Sequence, residues 1–80
     1  MEPVETLPAM LRRLRGEMST RSLASALLVS HSTIVRWESG ASVPTLPALR
    51  RLLTTCEATI RESLHAEALW YEAQATRGSY

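Results

Sequence analysis

Apolar residues recur along this chain at helical spacing, and small polar residues interrupt the recurrence at short intervals. Leu7, Met10, Leu11 and Leu14 make one stripe, opened by Thr6 as an N-cap, with Pro8 in the first turn, and closed by Gly16. Ser19 caps the next segment, whose inner face is Leu23, Ala24 and Leu27; Met18 is spaced to staple onto Leu23. Ser30 repeats the device with Val29 and Ile34, and this third segment runs to Ser39 and stops at Gly40. "ASVP" reads as a loop. Thr45 caps a fourth segment, with Pro47 in its first turn and Leu46, Leu49, Leu52, Leu53 and Cys56 along its buried side. The pattern predicts a last helix from about Thr59 to Ala75, with the tail "TRGSY" frayed. Nothing alternates with strand period, and there is no internal repeat. The predicted fold is all-α: five short helices in a single domain over residues 1–80.

The third segment carries two stripes. Ile34 and Trp37 point one way, while Ser32, Val35, Arg36 and Ser39 fall at i, i+3, i+4 and i+7 on another face. That second face is polar, yet it holds a lone valine and none of the Lys or Glu that usually solvates an exposed helix. Only "LVS" separates this helix from the one before it, which is the spacing of a helix-turn-helix. If Ile34 and Trp37 are buried, Ser32, Val35, Arg36 and Ser39 turn outward, with His31 at the tip. Arginine pairs bidentately with guanine, serine and histidine bond base edges, and valine touches a thymine methyl, so this face suits the major groove.

Composition narrows the classes. Net charge is +1, all nine basic residues are arginine and all eight acidic ones are glutamate. The charge is uneven: residues 1–55 carry seven Arg and four Glu, residues 56–80 two Arg and four Glu. The positive pole invites an anion, but the total is too low for strong non-specific DNA binding. A single cysteine excludes an intrachain disulfide framework, no apolar run is long enough to span a membrane, and "MEPVETLP" lacks a signal-peptide pattern. A cytoplasmic location without membrane contact is expected. Aspartate is absent, no nucleophile–base–acid set assembles, and no glycine-rich loop cradles phosphate, so an enzyme is the poorest reading. Cys56, His31 and His65 have no metal-ligand spacing, and neither a metal nor a cofactor is expected.

Residues 11–58 resemble the Cro/C1-type (Xre-like) helix-turn-helix family through "LRRLR", "STRSLASALLVSHSTIVRWESG" and "VPTLPALRRLL". The resemblance implies a five-helix, lambda-repressor-like domain, commonly dimeric, that binds operator DNA. It places His31, Ser32, Val35 and Arg36 at base-reading positions and Ser30, Thr33 and Ser39 near the DNA backbone. Ser19, Thr20 and Arg21 open the second helix, where free N–H groups and the helix dipole favour phosphate. Arg15 and Glu38 match a structural pair common in the family. The chain also departs from the pattern. Leu28 stands where the turn often has glycine, Thr20 where the second helix favours glutamine, and residues 41–43 have no basic side chain. The fourth helix lacks the usual closing glycine and is expected to continue through Cys56, Glu57 and Ala58.

On the last helix, Ile60, Leu64, Ala68, Tyr71 and Ala75 share a stripe expected to dock onto the other helices. Trp70 lies on its flank and Leu69 nearly opposite. The surplus suggests a second contact, so Leu64, Ala68, Leu69, Trp70 and Tyr71 are the candidate interface with a second copy or another protein. Completing a core that lacks Phe is the plainer use of Trp70 and Tyr71. His65 reads as exposed, Cys56, Met10 and Met18 as core or gap-filling residues, and Arg12, Arg13, Arg50 and Arg51 as either solvated surface or phosphate contacts. Two functions stand ahead of an enzyme. One is a sequence-specific DNA-binding regulator, a small dimeric repressor on a palindromic operator. The other is a helix-turn-helix adaptor, antitoxin-like, whose last helix binds a partner protein.

Overall fold

A computed structural model describes residues 5–77. Its helices are α1 (Leu7–Arg15), α2 (Thr20–Leu27), α3 (His31–Ser39), α4 (Leu46–Thr55) and α5 (Ile60–Arg77), with no strand among the described residues. Four helices begin on the expected hydroxyl caps. Thr6, Ser19, Ser30 and Thr45 accept from the N–H of the residue three further on, at 3.3, 3.0, 3.2 and 3.3 Å. The fifth opens on a reciprocal capping box: the Glu62 N–H donates to the Thr59 hydroxyl at 3.0 Å, and the Thr59 N–H donates to the Glu62 carboxylate at 2.9 Å.

Met10, Leu11, Leu23, Ile34, Leu49 and Leu52 form the fully buried centre, and Trp37 closes it from α3. Met18 and Val29, the residues preceding the second and third caps, pack half-buried against this core. Helix α2 packs on α3 and α4, α1 packs on α3, and α5 lies across α1 and α4. The bundle therefore holds α3 from behind and leaves its outer face open.

The turn between α2 and α3 is closed by Leu28 in the left-handed conformation, φ 58° and ψ 41°. The N–H groups of Leu28 and Val29 reach back to the last turn of α2. The leucine side chain is 85% exposed, so it recovers nothing by packing. A left-handed non-glycine residue costs roughly 1–2 kcal/mol, of which glycine's greater unfolded-state freedom returns about half. Leu28→Gly is therefore expected to stabilise the domain by about 0.5–1 kcal/mol, read as a higher urea midpoint with an unchanged m-value.

Three expectations are corrected. Helix α4 does not run through Cys56, Glu57 and Ala58; it ends at Thr55, because Glu57 adopts φ 55° and does what the missing glycine would have done. Helix α5 extends past Ala75 to Arg77, so Thr76 and Arg77 of the tail are helical, while residues 78–80, like residues 1–4, lie outside the described residues. The docking face of α5 is the opposite of the expected one. Ala66 and Leu69 are buried and Trp70 packs half-buried beside them, whereas Ile60, Leu64 and Tyr71 are 82%, 66% and 57% exposed. Ala68 and Ala75 are exposed with them. The reason is size: Ala66 allows close approach to the bundle, and the neighbouring Leu69 and Trp70 then fill the groove. Trp70 is further committed inward by its indole N–H, which donates to the Pro44 carbonyl at 2.7 Å.

Candidate nucleic-acid interface

The outer face of α3 is built from residues that the core does not use. Ser32, Val35, Arg36 and Ser39 are exposed, and His31 and Thr33 are half-buried at the helix start. Val35 is 45% exposed. Arg36 has no side-chain partner among the described residues. Ser30 and Thr33 hydroxyls bond each other at 2.8 Å as part of the cap. Ser39 donates to the Arg36 carbonyl at 3.1 Å and closes the helix end, so its hydroxyl is already engaged.

Glu38 is the single acid on this helix, and it is turned away from that face. Its carboxylate is taken bidentately by Arg15 of α1, at 2.7 and 3.1 Å, and it is 9% exposed. The hydrogen bond to Glu38 pushes the Arg15 guanidinium pKa upward. Arg15 spends a further N–H on the Met18 carbonyl at 2.7 Å, which ties the pair to the chain entering α2. Arg15 is thus a strut between α1, α3 and the start of α2, and α3 shows solvent a face with one positive and no negative charge.

At the start of α2, the Ser19 hydroxyl takes the Ser22 N–H, and the N–H groups of Thr20 and Arg21 remain unpaired within the described residues. Arg21 is exposed and Thr20 half-buried, so this end of the helix offers donors and a cation together. The loop after α3 is held rather than loose: the Ala41 and Ser42 N–H groups donate to the Arg36 carbonyl at 3.0 and 3.3 Å, and Trp70 holds Pro44. It contributes backbone but no basic side chain.

On the far side, Arg13 joins Glu5 at 2.8 Å and Glu62 at 3.3 Å, and His65 approaches Glu5 at 3.3 Å. The sequence pattern allows Arg13 to be either solvated surface or a phosphate contact; the structure ties it to α5 through Glu62. The Arg13 hydrogen bond holds the Glu5 carboxyl below the usual carboxylate range, and the Thr59 N–H does the same for Glu62. The Arg13 links to these two carboxylates therefore hold at neutral pH and come apart as acid protonates them. Burial pushes the Cys56 thiol up, which keeps it neutral and unreactive.

A family model described as a helix-turn-helix domain matches residues 8–67. The chain belongs to the helix-turn-helix domain family. No curated protein and no solved structure matches it. The match spans the resemblance seen in the sequence and extends it through α1 and the first turns of α5. At the coarse level that membership supplies, this helix-turn-helix domain is a DNA-binding regulator, of a family that is typically non-enzymatic. Among the described residues, no helix is long and apolar enough to cross a membrane, and no three His, Cys, Asp or Glu side chains are grouped to hold a metal.

Proposed function

We propose that the protein is a sequence-specific transcriptional regulator, a small dimeric repressor of phage, plasmid or bacterial type, that inserts α3 into the major groove of a palindromic operator. The observation that carries this reading is the division of charge on α3: Glu38 is neutralised inward by Arg15 while Arg36 is left free outward. His31, Ser32, Val35 and Arg36 read bases. Ser19, Thr20, Arg21, Ser30 and Thr33 position the phosphate backbone; Ser39 does so only if its cap is shared. Amide shift mapping on titration with a duplex tests this. Perturbation is expected to concentrate on residues 19–21 and 30–36, and perturbation centred on α5 would contradict it.

The dimer is assigned to the exposed stripe of α5. Ile60, Leu64, Ala68, Tyr71 and Ala75 lie within one narrow sector of the helix, opposite the buried face. Antiparallel pairing with a second copy sets Leu64 against Tyr71 of that copy. Leu69 and Trp70 leave the interface set, since they are spent on the monomer's own core. Leu64→Glu is expected to convert the dimer to a folded monomer by light scattering and to weaken operator binding by about tenfold or more. A wild-type protein that is monomeric at micromolar concentration would favour the adaptor reading, with the same stripe receiving a different protein.

A further inference from the structure

A cavity of about 280 Å³ lies behind the DNA-facing surface, where the end of α3 and its following loop meet α1 and α5. Leu7, Pro8, Val43, Pro44 and Ala73 give it apolar walls. Two polar groups adjoin them. Trp37 is 7% exposed, and its indole N–H has no partner among the described residues; nor has the Ser42 hydroxyl. Among the described residues no fully buried side-chain nitrogen or oxygen lacks a partner, so the indole N–H is not sealed in the core, and Trp37 is one of the residues that line this cavity. The walls are fixed in advance. Pro44 is held by Trp70, and the Ala41 and Ser42 N–H groups are held by the Arg36 carbonyl. An apolar, preformed concavity with a few unused polar groups is what a small-molecule site requires, and this volume suits a single ring with a short substituent.

We propose that this cavity binds a small planar apolar molecule bearing one hydrogen-bond acceptor, with the Trp37 indole as donor, and that occupancy changes DNA affinity. The second half rests on the DNA-binding reading above. The physical link is short. Trp37 follows Arg36 on α3, Gly40 ends α3 at the cavity, and the loop that forms the wall hangs from the Arg36 carbonyl. A ligand seated between this loop and α5 favours the present setting of the end of α3 over others, and DNA affinity follows that difference.

The test uses acetophenone as probe and ethylbenzene as its acceptor-free counterpart. The indole N–H resonance of Trp37 is followed by ¹⁵N correlation spectroscopy, and that of Trp70, already bonded, reports the fold. A saturable shift of the Trp37 signal with acetophenone, much smaller with ethylbenzene, is expected. Ala73→Leu, which fills the cavity, should abolish it while the Trp70 signal stays in place; Val43→Leu serves if Ala73→Leu does not fold. No saturable shift, or one that survives cavity filling, overturns the site. Saturating acetophenone should change operator affinity by about fivefold. Saturable binding with unchanged operator affinity overturns the regulatory half alone. Failure to bind any duplex without probe overturns the DNA reading, and the indole shift still decides the site.

Discussion

Arg36→Ala is expected to abolish selective DNA binding while leaving the fold untouched. Arg36 is exposed, sits on the open face of α3 and supports no other side chain among the described residues, so truncation costs the domain almost nothing. In the proposed bidentate guanine contact its loss costs about 1–3 kcal/mol per half-site, and the proposed dimer loses it twice. Operator affinity should fall by roughly a hundredfold or more, towards that of random duplex. Fluorescence anisotropy against operator and scrambled duplexes, beside a thermal melt, checks both halves. Retained base preference in a folded Arg36→Ala protein would remove Arg36 from the reading set.

The larger effect on stability belongs to Arg15. Arg15→Ala strands Glu38, a 9% exposed carboxylate, and leaves the Met18 carbonyl without its 2.7 Å donor. Breaking a buried charge pair costs about 3–5 kcal/mol; with Arg15 half-buried, roughly 2–3 kcal/mol is expected. In a domain of this size that lowers the melting temperature by about 10–20 °C. The double variant Arg15→Met with Glu38→Leu, which replaces the pair by apolar volume, should recover most of the loss. A single variant as stable as the parent would show that the pair contributes nothing and that Arg15 is free for another role. These two arginines separate roles that charge alone leaves mixed: Arg15 braces α3 from behind, and Arg36 is the one proposed to read.

The core faces of α1 to α4 were legible because each helix has one apolar stripe and a hydroxyl cap, and both signals are local. The outward face of α3 was legible for the opposite reason, as a stripe without the charges that solvation favours. Helix α5 was not legible in the same way. Its apolar residues run around the helix, so periodicity supplies two faces of similar strength and cannot rank them. The choice is made by shape, since small Ala66 beside Leu69 and Trp70 fits the groove between α1 and α4 better than Ile60 and Leu64 do. The stop at Glu57 was not legible, because a left-handed glutamate has no compositional mark. The Arg13 cluster joins residues 49 apart in sequence and was beyond any local pattern.

The proposed regulator must select a DNA sequence. Selection from a randomised duplex library at near-physiological salt, with protein whose oligomeric state is fixed by light scattering, is the most direct test. Enrichment of a palindrome whose half-sites lie about one helical turn apart is expected. A folded protein that enriches no sequence would contradict it, and would leave the exposed stripe of α5 as the surface on which function is to be sought.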